Sequence, residues 1–356
     1  MSEQTLTSAA AARGPLAMEA ASLSKDFRIG RGHTLHAVRD VSFNLYRSAV
    51  VALVGESGSG KSTAAKLLAG QERLTSGTIR LDGKQVEVSS RSDFRRYKSE
   101  VQLVFQDPFS SLNPIHTVRH HLERPVKLHQ KSANVSQEVV ALLEQVRLTP
   151  ARQFLPKYPH ELSGGQRQRV SFARALAARP SVLLADEPES MLDVSIRLEM
   201  LSLLDDLRRR FRLAMLYITH DIASARYFAD EILVMYAGEI VERGPAEEVT
   251  QLPAHPYTQL LVASAPDPDN LGSALRGGSR RQGPATASGR PQNLDGTATQ
   301  GCPFNRRCPF ADDLCRRQNP ALVQLSATRG AACWHLDVAA PELVPAPRGG
   351  EDTKTR

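Results

Sequence analysis

The stretch Gly55-Glu56-Ser57-Gly58-Ser59-Gly60-Lys61-Ser62-Thr63 constrains this chain more than any other part of it. It reads G-x-x-x-x-G-K-[ST] and lies between an apolar run, Val50 to Val54, and a helix-forming run, Ala64 to Ala69. Strand, glycine loop and helix in that order predict a phosphate-binding loop. The glycines let backbone N–H groups curl around phosphate oxygens, the helix points its positive end at them, and Lys61 adds a point charge. Ser62 is placed to hold Mg²⁺. All nine residues, Gly55 to Thr63, are therefore candidate nucleotide contacts.

Composition limits the rest. A chain of 356 residues, 41% hydrophobic and 23% charged, suffices for a large core and a second small domain. No run approaches the roughly 18 apolar residues needed to span a bilayer, and the N-terminus shows no basic start followed by a sustained apolar segment. The expectation is a soluble chain, cytoplasmic by default. The net charge of +7 is spread without one dense basic block, so it does not point to nucleic acid as a partner.

Residues 1–18, rich in Ala, Ser and Thr, read as a flexible leader. Ala20 to Phe27, Ala37 to Leu45 and Gly77 to Gly83 suit strands of a small, largely antiparallel layer. Further on, Val182 to Ala185 is a short apolar run suited to a buried parallel strand, which places Asp186 at its carboxyl end, where ligands of open α/β sheets bind. An acid there can hold Mg²⁺ directly or through water. Glu187 has no metal to satisfy and can take a proton from, or orient, an attacking water. His220 follows another apolar strand, Ala214 to Ile218, and reads as a γ-phosphate contact, with a loop-capping histidine as the alternative. Ser163-Gly164-Gly165-Gln166 opens a helix that must stop before Pro180 and makes a second anion-binding helix start.

Taken in order, the phosphate loop, Phe105-Gln106-Asp107-Pro108, Leu162 to Arg169, Asp186-Glu187-Pro188, Leu192-Asp193 and Ile218-Thr219-His220-Asp221 resemble the ATPase subunits of ABC transporters over about residues 20–265. Tyr158 to Leu162, Ser111 to Pro114 and His255 to Thr258 are similar in kind to the peptide and nickel importer branch. The resemblance implies an α/β fold of the P-loop NTPase type: a RecA-like core, an antiparallel β subdomain, and a helical subdomain at about 107–180 that meets the membrane subunit. It implies ATP and Mg²⁺ as cofactors, with Ser62, Gln106 and Asp186 around the metal. Gln106 becomes a hinge and γ-phosphate sensor, Glu187 and His220 catalytic residues, and Phe27 an adenine-stacking ring. Ser163, Gly164, Gly165, Gln166 and Asp193 become contacts to nucleotide across a head-to-tail dimer. The implied partners are a second, unlike ATPase subunit, two transmembrane permease subunits and an extracytoplasmic substrate-binding protein. The implied location is the cytoplasmic face of the membrane, and the cargo, oligopeptide or dipeptide, is chosen by those partners. The alternative is a non-transport ABC ATPase acting on ribosomes or DNA. One cassette and only 125 positions between Lys61 and Asp186 favour the importer.

The chain departs from that family at two places. Ser48-Ala49 stands where Gly-Glu is usual, and Glu189-Ser190-Met191 where Thr-Ser-Ala is usual. The first predicts altered stability; the second, through Glu189 and Met191, predicts an extra carboxylate and a bulkier side chain at the dimer interface and points to an unlike ATPase partner. Histidines 116, 120, 121 and 129 read as a solvated helix face rather than a metal site. Residues 266–300 read as a linker, 301–338 as a cysteine-rich extension and 339–356 as a flexible tail. All four cysteines, Cys302, Cys308, Cys315 and Cys333, lie in that extension. Four thiolates suit a [4Fe–4S] cluster or zinc, with free thiols the remaining reading, and the family resemblance favours the cluster.

Overall fold

Strands Val50–Val54, Val182–Asp186 and Ala214–Thr219 are buried along their whole length, as apolar runs covered on both faces of a parallel sheet must be. They belong to a computed structural model that describes residues 14–29, 33–87, 90–107, 111–130, 134–190, 192, 194–265 and 301–343. Among these residues there are two sheets. In the smaller, β1 (Leu16–Ile29) pairs antiparallel with β2 (His33–Tyr46) on one side and β4 (Ser76–Leu81) on the other, and β5 (Lys84–Gln85) completes the order β2-β1-β4-β5. The second half of β2 shows why it has a core face: Val41, Phe43 and Leu45 are buried while Ser42 and Asn44 are exposed.

The larger sheet contains β3 (Val50–Val54), β6 (Val101–Val104), β7 (Val182–Asp186), β8 (Ala214–Thr219), β9 (Glu231–Tyr236), β10 (Glu239–Pro245), β11 (Val323–Gln324) and β12 (Gly330–Ala331). Its order is β11-β12-β10-β9-β3-β8-β7-β6, parallel from β9 to β6 and antiparallel beyond. The β3, β7 and β8 strands are neighbours running the same way, with Val54 opposite Thr219 and Asp186 opposite Ile218. Whatever follows each of them emerges on one edge.

Between β6 and β7 the helices Val118–His129, Val135–Gln145 and Gly164–Leu176 form the helical part, each opened by a side-chain cap from Thr117, Asn134 and Ser163 respectively. Leu122, Val126, Leu142, Leu143, Val170 and Phe172 join them to the main core. The helix Arg91–Glu100 has no counterpart in the sequence reading; it is strongly polar, and Tyr97 is its one buried residue. His121 is not on a solvated face. It is buried, its Nε2 stands 3.0 Å from the Asn113 carbonyl, and burial lowers its pKa. His116 and His120 stack at 3.9 Å between ring centroids.

Two boundaries differ from the sequence reading. The leader gives way to β1 at Leu16, where Ala17 and Met18 are already buried. The tail expected from 339 is still structured: the helix Leu336–Ala339 is followed by the turn Pro341–Leu343, and Ala340 is buried against Ala254 and Ala331. The linker expected at 266–300 lies outside the described residues. Ser48, at the first departure from the family, has φ 61, a left-handed conformation that glycine adopts without cost.

The extension is continuous with the core sheet. Glu242 and Arg243 of β10 pair with Ala331 and Gly330 of β12, and Cys302, Phe304 and Cys315 are part of the main core. Beside this junction Arg329 reaches the Glu242 carboxylate at 3.0 Å, with the two side chains 3% and 0% exposed. Glu242 also accepts N–H bonds from Ala254 at 2.9 Å and His255 at 2.8 Å. Removing one partner of such a pair strands a buried charge. Arg329→Met should therefore cost about 3–5 kcal/mol in chemical denaturation. Arg316→Gln, which breaks an exposed i,i+3 pair with Asp313, should cost less than about 1 kcal/mol.

Candidate functional site

The chain leaves β3 through Gly55, where a Cβ would stand 2.2 Å from the Met235 carbonyl oxygen. It enters the helix Lys61–Leu68 through Gly60, at φ 105, where a Cβ would stand 2.3 Å from the Ala37 carbonyl oxygen. No residue with a side chain fits either place without moving backbone, so both ends of the loop are fixed by packing against other strands. Lys61 is delivered as the first helical residue and is 4% exposed. Its ammonium donates to the carbonyls of Gly55 at 2.7 Å and Glu56 at 2.9 Å. Burial lowers its pKa, against the charges of Glu187, Asp186 and Glu56. A buried cation satisfied by neutral carbonyls is suited to phosphate oxygens as further acceptors.

Across the edge, the Ser62 hydroxyl donates to Asp186 Oδ1 at 3.2 Å. Asp186 is buried, and burial raises its pKa while the Ser62 bond opposes. A hydroxyl and a carboxylate together are hard oxygen donors, the kind Mg²⁺ takes beside a nucleotide. Glu187 follows with φ 44, a strained conformation for a residue with a side chain, and its N–H bonds the Ile218 carbonyl at 2.9 Å. Gln106 Nε2 donates to Glu187 Oε2 at 2.9 Å, and His220 Nδ1 lies 3.2 Å from the same oxygen. An amide and an imidazole thus orient one carboxylate, which can accept a proton or hold a water in place.

Lys61, Ser62, Gln106, Glu187 and His220 line one cleft of about 770 Å³, and Phe27 lines it as well. The Phe27 ring carries Lys25 Nζ 4.7 Å from its centroid. Sequence reasoning missed Leu35, His36 and Ala37 of β2 and Ala237 and Gly238 of the β9–β10 turn, which also line the cleft. These sit in ordinary strand and turn sequence with no local signature. Ser163, Gly164, Gly165 and Gln166 are not among the lining residues. They open the helix Gly164–Leu176, where Ser163 Oγ accepts from the Gln166 N–H and Gln166 Oε1 accepts from the Ser163 N–H. Asp193 and Met191 lie outside the described residues.

Residues 38–190 match the family model for ABC transporters, and residues 241–315 match that for the C-terminal region of oligopeptide/dipeptide transporters. The chain is 38% identical over 329 residues to the di/tripeptide transport ATP-binding protein DppF of Pseudomonas aeruginosa, spanning 90% of this chain and 98% of that one. It is also 38% identical over 303 residues to the oligopeptide transport ATP-binding protein AppF of Bacillus subtilis, spanning 84% and 89%. The chain belongs to the ATP-binding subunits of ABC transporters. Two solved structures share its cassette. One is cbiO1 from Clostridium perfringens, part of the cbiONQ complex (TM-score 0.59, 26% identity, 67% of this chain and 91% of that one). The other is the ATP-binding cassette MJ0796, a dimer in a post-hydrolysis state with ADP and Pi (TM-score 0.58, 26% identity, 64% and 98%). This ABC ATPase is an ATP hydrolase that uses Mg²⁺.

One expectation for the ATPase is corrected. Glu189 does not project toward a partner subunit: it is 4% exposed and turned inward. Its Oε1 accepts from Ser224 Oγ at 2.8 Å and from Thr219 Oγ1 at 3.4 Å, so the carboxylate ties the segment after Glu187 to the residues flanking His220. Glu189→Ala should leave those hydroxyls without their acceptor and lower stability by about 1–3 kcal/mol, read from the denaturation midpoint.

In the extension, Cys302 and Cys315 are buried, and Cys302 N–H donates to the Cys315 carbonyl at 2.8 Å. Burial pushes the thiols of Cys302 and Cys333 up to about 12 and about 11. Among the described residues, the one set of three metal-ligating atoms within 4.8 Å of each other is Asp312, Cys315 and His335. A zinc tetrahedron with Zn–S bonds of about 2.3 Å would bring its sulfurs to within about 3.8 Å. Among the described residues, no three of the cysteine sulfurs lie within 4.8 Å of one another.

Proposed function

We propose that this ATPase drives a peptide importer, coupling ATP binding and hydrolysis to uptake of oligopeptides or dipeptides through separate permease subunits. The observation that carries the catalytic part is the convergence of Gln106 and His220 on one oxygen of Glu187 at the mouth of the phosphate-loop cleft. In this reading Lys61 and the loop N–H groups hold the phosphates, and Ser62 and Asp186 hold Mg²⁺, with Gln106 close by. Phe27 stacks on adenine, His220 contacts the γ-phosphate, and Glu187 positions or deprotonates the attacking water. Mg²⁺ supplies charge neutralisation for the phosphoryl group in transfer.

The signature Ser163-Gly164-Gly165-Gln166 is a second anion-ready helix start outside its own cleft, which supports a head-to-tail dimer in which each signature closes over the other subunit's ATP. The cargo follows from the peptide transport proteins the chain is similar to and from the match of the C-terminal region. None of the described helices is long and apolar enough to cross a membrane, so the reading gives transport itself to two permeases and capture to an extracytoplasmic binding protein. This ATPase then sits peripherally on the cytoplasmic face. With Glu189 turned inward, the argument it offered for an unlike ATPase partner falls away. In the assembled transporter, Glu187→Gln should keep ATP binding and lower turnover by about 10²- to 10⁴-fold, whereas Lys61→Ala should weaken binding itself. Near-normal turnover by the Glu187→Gln transporter would remove Glu187 from the mechanism.

For the cysteines we propose a [4Fe–4S] cluster held by Cys302, Cys308, Cys315 and Cys333, acting as a staple for the extension rather than as an electron carrier. The reading rests on all four cysteines lying within residues 302–333 of the extension. Protein purified without oxygen should be brown, absorb broadly near ~400 nm and contain about four irons per chain. Stoichiometric zinc without iron would decide against the cluster, and absence of both metals would leave free thiols.

A further inference from the structure

The cysteine-bearing extension touches the phosphate loop directly. Arg307 lies in the tight turn from Cys302 to Cys308, in which Asn305 N–H donates to the Cys302 carbonyl at 3.0 Å and Cys308 N–H to the Phe304 carbonyl at 3.1 Å. From that turn its guanidinium forks onto Glu56, Nη1 to Oε2 and Nη2 to Oε1, both at 2.8 Å. The two side chains are only 18% and 32% exposed. The guanidinium also rests over the rings of Phe304 and Tyr236, at 5.6 and 6.0 Å from their centroids. Tyr257 packs against both rings, and its hydroxyl accepts the Glu56 N–H at 2.8 Å. Glu56 is thus held at backbone and carboxylate by groups far from it in sequence.

The location of Glu56 gives that grip a consequence. It is the second residue of the phosphate loop, it lines the nucleotide cleft, and its charge is felt at Lys61. A loop built to collect a polyanion gains nothing from a loose carboxylate at its rim, because like charges a few ångströms apart in a half-buried site repel appreciably. A planar, bidentate cation removes that repulsion and fixes the carboxylate in one orientation, which a lysine point charge does less well. An isolated surface pair contributes little, but this one is shielded by aromatic rings and has both forks engaged.

We propose that Arg307 is a positioning residue of the nucleotide site, neutralising and fixing Glu56 so that the extension sets the affinity of the phosphate loop for the phosphates of ATP.

The test is isothermal titration of the full chain with MgATP and, separately, with adenosine, which reports the ring end of the cleft alone. Arg307→Gln should weaken MgATP binding by roughly tenfold, the scale of a lost hydrogen-bonded charge. It should leave adenosine binding as in the parent chain. Adding Glu56→Gln to Arg307→Gln should recover most of the loss, because the unneutralised carboxylate is then gone. Unchanged MgATP affinity in Arg307→Gln would overturn the proposal. So would a double variant no better than the single, or a parallel loss of adenosine binding, since these mark a packing role. If Arg307→Gln does not fold, Arg307→Lys keeps the charge without the fork and should give a smaller loss, rescued in the same way. Lys61→Ala serves as the reference: if it too binds MgATP like the parent chain, the assignment of the cleft to ATP is what fails.

Discussion

Everything chemical in this molecule depends on β3, β8 and β7 being parallel neighbours with closely matched ends. Parallel pairing sends the carboxyl ends of all three to one edge, and each strand is followed at once by a functional group: the phosphate loop after Val54, Glu187 after Asp186, His220 after Thr219. A slip of one residue in β7 would turn Asp186 to the other face of the sheet and separate it from Ser62. The strands hold their register because they are buried on both faces, so side-chain packing on either side resists the slip.

The same edge concentrates negative charge. Asp186 and Glu187 are consecutive, Glu56 stands across the cleft, and Lys61 is the nearest buried cation. Burial raises the pKa of Asp186 and lowers that of Lys61, which is the expected strain of charges brought together with little water. The fold answers with fixed donors: Ser62 on Asp186, Gln106 and His220 on Glu187, Arg307 on Glu56. Glu189 is a further buried carboxylate, held by Ser224 and Thr219, and it links the strand end that bears Glu187 to the one that bears His220.

The C-terminal extension belongs to this arrangement rather than hanging from it. Its strand pairs with β10, its Arg329 is enclosed with Glu242, and Phe304 packs on Tyr236 and Tyr257 beneath the phosphate loop. Tyr257 comes from the segment His255-Pro256-Tyr257-Thr258, and His255 is kept neutral there, with burial driving its pKa down to about 3 and Nδ1 accepting the Tyr257 N–H. That segment therefore stands between extension and loop, with Tyr257 touching Phe304 on one side and the Glu56 N–H on the other.

The phosphate loop, the apolar strands behind it, the acid pair at 186–187, His220 and the helix start at Ser163 were legible in the sequence, because each depends on local chemistry: glycine where backbone must approach backbone, apolar runs where a strand is covered twice; Gln106 was legible only through the family resemblance. Contacts between distant segments were not. The inward turn of Glu189, the wall formed by Leu35 to Ala37 and the grip of Arg307 on Glu56 carry no motif signal. A side chain such as Glu189 reads the same in sequence whether it faces a partner or the core, and Arg307 stands 251 positions from the carboxylate it meets. Local sequence determined which groups stand at the strand ends; only the packing of sheet, helices and extension decided which way they face, because burial and pairing across long separations are properties of the folded surface and not of any one stretch of chain.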